Sequence, residues 1–237
     1  MKTEKIDYSD NGVSLEGYLA YDDSIEGKRP AVLVSHAWAG RTDFECQKAD
    51  ALAKLGYAGF AIDMYGKGVL GSNNEENTAL MMPFIENRAS LRQRITAGLN
   101  TLTGLELVDS GKLGAIGFCF GGLCVLDLAR SGADVKGVVS FHGLLNAPDD
   151  LRNESIRAKV LVLHGQDDPM APPEQVAGFQ KEMSNAGVDW QLHAYGNTLH
   201  AFTNPAANDP GFGTVYNADA DRRSWAAMKN FFDEVLV

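Results

Sequence analysis

Short, unbroken apolar runs constrain this chain more than any other feature. They fall at Ala31–Ser35, Tyr57–Ile62, Lys112–Phe118, Val135–Phe141 and Lys159–Leu163. Strands with one wet face alternate polar and apolar residues. These runs do not, so each is expected to be buried on both faces. Helix-length stretches separate them, with helices expected at 42–55, 77–101, 121–130 and 173–186. A last strand at Trp190–Tyr195 precedes a closing helix at 219–235. Near the start, Val13–Tyr21 alternates and follows the turn signal Asn11-Gly12, which predicts a hairpin over residues 4–20. The whole reads as an α/β fold: a mostly parallel sheet of about seven to eight strands with helices on both faces.

No linker, repeat or low-complexity block divides the sequence, so residues 1–237 are expected to form one domain. The longest irregular stretch is Thr198–Asn217, and loops of that length in compact domains are functional or mobile. The formal net charge of -10, with no run of Lys and Arg, argues against nucleic acid as a partner. Three cysteines (46, 119 and 124) do not make a disulfide framework and fit a reducing compartment. The first residues carry charge without an apolar stretch behind them, and no run is long enough to span a bilayer. A cytoplasmic protein with no membrane partner is therefore expected. Monomer and homodimer both remain open.

One turn stands out chemically. Gly117-Phe-Cys119-Phe-Gly121 directly follows an apolar run and directly precedes a helical one. A nucleophile raised above a sheet edge sits in a strained strand-to-helix turn, and small residues two positions away let strand and helix approach. The helix N-terminus then favours a thiolate and a developing oxyanion. A structural cysteine is the plainer reading, and it suits Cys124 and Cys46 better.

A thiol nucleophile needs a base, and the base needs an orienting acid. His36, His142 and His164 each follow an apolar run, where ligands gather in open α/β sheets, and each can equally cap its strand. His193 alternates within a strand and reads as half-buried. His200 lies in the loop between the last strand and the last helix, so it follows both nucleophile and acid in the chain. The acid comes from Gly165-Gln-Asp-Asp-Pro-Met-Ala-Pro172, where Asp168 is favoured and Asp167 is left to order the turn. Capping a helix is the commoner task for an aspartate in such a place.

With these sites in order, the chain resembles the dienelactone hydrolase family of the α/β-hydrolase superfamily over nearly its whole length. The resemblance rests on Gly117–Gly122, Gly165–Pro172 and His200-Ala-Phe202, with weaker matches at Val34–Gly40 and Asp63–Gly66. It implies Cys119 as nucleophile, Asp168 as acid, His200 as base, and an oxyanion hole from the backbone N–H groups of Trp38 and Phe120. The implied reaction is cleavage of a small ester or lactone through an acyl-thioester, with no cofactor and no metal. Two positions depart from the family pattern. Ala37 stands where dienelactone-cleaving members carry a glutamate, and Asn204 stands where they carry a carboxylate-binding arginine. Dienelactone itself is therefore expected to be a poor substrate.

Other readings remain. A general carboxylesterase or thioesterase fits the same residues, and a weakly catalytic binding module on the same fold is the alternative of a different class. Gly66-Lys-Gly-Val-Leu-Gly71 matches a dinucleotide fingerprint, but Ser72–Asn77 interrupts it before any helix can open. Tyr65 and Phe202, with Trp38 and Phe120, are candidates for the pocket wall, and residues 66–76 and 198–217 for a cover over it.

Overall fold

A computed structural model describes residues 1–149 and 155–236. The N-terminal hairpin pairs β1 (Lys2–Asp10) with β2 (Val13–Tyr21), and Asn11 and Gly12 form the turn with φ of 46° and 79°. Both values are positive, as a two-residue turn matched to strand twist requires. The apolar runs become β3 (Arg29–Ser35), β4 (Ala58–Ala61), β5 (Val108–Phe118), β6 (Gly137–Phe141) and β7 (Lys159–Gly165), and β8 is Trp190–Tyr195. The sheet has eight strands in the order β1-β2-β4-β3-β5-β6-β7-β8. From β4 through β8 every pairing is parallel, while β1–β2 and β2–β4 are antiparallel.

Successive residues of the inner strands feed opposite layers, which explains why those strands carry no polar alternation. Ala31 and Leu33 pack into one core with Leu91, Leu123 and Phe179. Val32 and Val34 pack into the other with Leu52, Met228 and Phe232. The first layer takes α3 (Arg88–Thr103), α4 (Phe120–Arg130) and α5 (Pro173–Asn185); the second takes α1 (Asp43–Ala53) and α6 (Ala218–Val235). Below the site, α4 is tied by a buried ion network. Arg88 holds Asp127 through two bonds of 2.7 Å, and fully buried Arg130 bridges Asp127 and Glu182.

Three expectations need correction. The single helix at 77–101 is two, α2 (Asn74–Glu86) and α3, because the Asn87 side chain accepts the Ser90 N–H and caps a new helix. The irregular stretch 198–217 contains a small hairpin, β9 (Asn208–Asp209) with β10 (Thr214–Val215). His193 is exposed rather than half-buried, because β8 is an edge strand with little packed over it. Among the described residues no helix is long and apolar enough to cross a membrane.

Candidate active site

The chemistry-bearing residues gather beyond the C-terminal ends of the parallel strands. Cys119 joins β5 to α4 with φ 56° and ψ -116°, a conformation an L-residue adopts only under constraint. The constraint is close packing of backbone. A Cβ at Gly117 would stand 1.9 Å from the Gly121 carbonyl oxygen, and one at Gly121 would stand 2.2 Å from the Ser35 carbonyl oxygen. Only glycine fits at either place, so the strand-to-helix turn closes and leaves Cys119 on the wall of a cavity of about 580 Å³.

His200 is held from both sides of its own peptide. Its N–H donates to the Gly213 carbonyl at 3.0 Å, and its carbonyl accepts from the Val215 N–H at 3.0 Å. The hairpin within 198–217 thus serves to fix this residue. The ring's Nδ1 pairs with Asp168 Oδ2 at 2.7 Å, and Asp168 Oδ1 accepts the Met170 N–H at 2.8 Å. Asp167 is exposed and takes no part.

The other ring nitrogen, Nε2, is buried and makes no formed hydrogen bond. Burial alone would disfavour a charged ring there. Negative charge on Cys119 and the bond to Asp168 outweigh it and raise the His200 pKa to about 10. Cys119 and His200 therefore act on one another electrostatically across the cavity wall, to which both belong.

The remaining histidines at the strand ends are buried, and of these His142 also lines the cavity beside His200. His36 is completely buried, its Nδ1 lies 2.6 Å from the Ala37 carbonyl, and its Nε2 accepts the Met64 N–H at 3.1 Å. That pairing makes Nδ1 the protonated nitrogen and keeps the ring neutral, in line with a pKa lowered by burial. His142 pairs Nε2 with Thr203 Oγ1 at 2.8 Å, and burial followed by the charge of His200 pushes its pKa well down. His164 is likewise shifted down, chiefly by burial.

The loop after β3 turns its carbonyls away from the cavity. His36 Nδ1 and the Gly40 N–H donate to the Ala37 carbonyl, the Tyr65 hydroxyl to that of Trp38 at 3.0 Å, and the Gly71 N–H to that of Ala39 at 3.0 Å. Among the described residues no acceptor takes the Trp38 or the Phe120 N–H. The segment 66–76 props this loop from outside and does not line the cavity, whereas Ala201, Asn204, Phe212 and Thr214 of 198–217 do.

Three candidate wall residues, Tyr65, fully buried Phe120 and Phe202, are misplaced. Tyr65 stacks on Phe120 behind the loop, with ring centroids 6.0 Å apart, and fully buried Phe202 packs behind His142 at 5.0 Å. All three form the layer behind the wall. The wall itself takes Trp38, Phe44, Met81, Phe118, Leu144 and Met170, with Glu45 as an unanticipated carboxylate. Thr42-Asp-Phe-Glu45 has the spacing of a capping box, the one sequence signal that could have placed Glu45 against the loop. Among the described residues no group of His, Cys, Asp and Glu is arranged to hold a metal ion.

The sequence model of the dienelactone hydrolase family matches residues 15–236. The chain belongs to the dienelactone hydrolase family. It is similar to a solved structure named m3DLH, with 40% identity, a TM-score of 0.94, and coverage of 100% of this chain and 99% of that one. A second, solved as a dienelactone hydrolase-like promiscuous phosphotriesterase from metagenomic libraries, is 37% identical with a TM-score of 0.93 and the same coverage. A mouse (Mus musculus) carboxymethylenebutenolidase homolog is 22% identical over 86% of this chain and 84% of its own. Membership of the dienelactone hydrolase family makes this chain a hydrolase on the α/β-hydrolase fold.

Proposed function

We propose that this chain, acting as one domain, hydrolyses small carboxylic esters or lactones through Cys119, His200 and Asp168. The observation that carries the reading is the His200 ring itself. One nitrogen is fixed on Asp168 at 2.7 Å, and the other is unengaged on the cavity wall it shares with Cys119.

The Cys119 sulfur, as thiolate beside a protonated His200, attacks the ester carbonyl carbon. The C–S bond forms as the carbonyl π pair moves onto oxygen, and the unpaired N–H groups of Trp38 and Phe120 receive that oxyanion. Collapse breaks the bond to the alcohol oxygen, which takes the proton from His200 Nε2. Water then loses a proton to the neutral ring and attacks the thioester. The acid leaves, and the proton on His200 and the thiolate are restored. Asp168 keeps the ring in the orientation both half-reactions need.

Ala37 and Asn204 leave no charged side chain where the family's dienelactone-cleaving members carry two, which supports uncharged esters over dienelactone as substrates. A second reading, phosphotriester hydrolysis at the same site, draws on the 37%-identical relative solved as a promiscuous phosphotriesterase. The test is a panel of aryl esters, lactones and an aryl phosphotriester, assayed with the native protein and Cys119→Ala. The reading expects turnover with the native protein only, with an acyl mass trapped on Cys119. Equal rates in the two proteins overturn it. Rapid turnover of dienelactone at micromolar KM would overturn the substrate preference alone.

A further inference from the structure

Glu45 is the charged residue on the cavity wall that the reaction above does not use. It sits on the first turn of α1, 2% exposed, and three donors hold its carboxylate. Oε1 accepts the Ala37 N–H at 3.2 Å, and Oε2 accepts the Thr42 N–H at 2.9 Å and the Thr42 hydroxyl at 2.8 Å. A carboxylate tied this way cannot swing out to water or rotate away from an incoming ligand. It stands against the same short loop that offers the Trp38 N–H, bonded to the amide of the preceding residue, and belongs to the cavity wall.

Among the described residues lining the cavity there is no Lys and no Arg. Lys48, one turn further along α1, points into the rings of Phe44, Phe118 and Trp225 at 4.8, 5.6 and 5.2 Å. Its ammonium pairs with Asp221 at 3.8 Å and also feels Glu45, but it does not line the cavity, so it offsets that carboxylate only in part. The protonated His200 is already opposed by Asp168 and by the Cys119 sulfur. Most of the rest of the wall is apolar, with Thr78, Asn204 and Thr214 as neutral polar residues, so a charge brought into it meets little to screen it.

We propose that Glu45 is a specificity-determining residue: its fixed carboxylate keeps the cavity negative, so the site accepts acyl groups that are neutral or cationic and rejects those bearing a carboxylate near the scissile bond. The inference rests on the proposed site at Cys119, whose substrate class it narrows.

The test measures binding rather than turnover, so that it stands apart from the hydrolysis reading. Three anilides of matched size probe the native protein by calorimetry: one ending in a tert-butyl group, one in a trimethylammonium group and one in a carboxylate. The neutral and cationic ligands are expected to bind about tenfold or more tightly than the anionic one. In Glu45→Gln, which keeps the side chain's shape and one acceptor, that ratio is expected to fall to about threefold or less. A brace without an electrostatic role would weaken all three ligands together. Equal affinity for the anionic and neutral ligands in the native protein overturns the proposal, whether or not the variant folds. An unchanged ratio in folded Glu45→Gln also overturns it. Loss of ester turnover with the ratio intact would count against the hydrolysis reading alone.

Discussion

Trp38 and Phe212 stack across the cavity, with ring centroids 5.6 Å apart and planes 17° from parallel. One ring comes from the loop after β3, the other from the turn between β9 and β10, and both belong to the cavity wall. Phe212 is 41% exposed, so the contact lies at the rim. Phe212→Ala is expected to cost about 0.5–1.5 kcal/mol of local contact and to leave the fold intact. KM for aryl esters should rise several-fold with kcat nearly kept. A fall in kcat at constant KM would show that the ring acts on the reaction step instead.

His200 titrates far from its ordinary value because of its neighbours. Burial opposes its charge, while Cys119 and Asp168 raise its pKa to about 10. Since the folded value exceeds the unfolded value of about 6.5, the stabilisation is fully present below that pH and is lost as pH climbs through about 10. Cys119→Ala removes the sulfur that helps raise the ring, so the ring should titrate at lower pH than in the native protein. Imidazole proton shifts followed by NMR from mildly acidic to strongly alkaline pH measure both midpoints. Identical midpoints would show that Cys119 contributes nothing to the ring's charge.

Asp168→Asn keeps an oxygen for the Met170 N–H but can present an amide to His200, which disfavours the tautomer the reaction uses. A loss of about a thousandfold or more in kcat is expected, with a lowered melting temperature, because the buried His200 ring loses its charged partner. Steady-state kinetics with a circular dichroism melt decide it, and a loss of less than about tenfold would remove Asp168 from the reaction.

Gly121→Ala should fail at the level of folding. The added methyl would stand 2.2 Å from the Ser35 carbonyl oxygen and 2.7 Å from that of His36, both backbone atoms that cannot step aside. Destabilisation of about 3 kcal/mol or more is expected in urea unfolding. A stable, fully active variant would mean that the turn at Cys119 relaxes more easily than its packing implies.

Much of this architecture was legible in the residues. The inner strands could be read because burial on both faces strips them of polar alternation, and Gly117-x-Cys119-x-Gly121 could be read because backbone contact at that turn admits nothing larger. The pairing of His200 with Asp168 agrees with the expected chain order. What escaped depends on direction and on small scale. Asn87 looks like one more polar residue on a long helix until its side chain is seen to cap Ser90. Strands of two residues, such as Asn208–Asp209, carry no period to detect. Tyr65 and Phe202 neighbour the site in sequence, but their rings point into the packing behind it. Glu45 was hidden because a capping box explains a glutamate completely without reference to any cavity.

The cavity wall joins the end of a central strand to segments that lie outside the sheet. Its floor is the Cys119 turn, where backbone meets backbone and leaves no room for a side chain at Gly117 or Gly121. Its sides come from the loop after β3, one face of α2, and the 201–214 segment. Substitutions at Thr78, Met81, Asn204 or Phe212 can reshape the cavity without disturbing the turn that carries Cys119. A chain built this way can drift toward new esters by small steps, each of which leaves a folded and competent enzyme behind it.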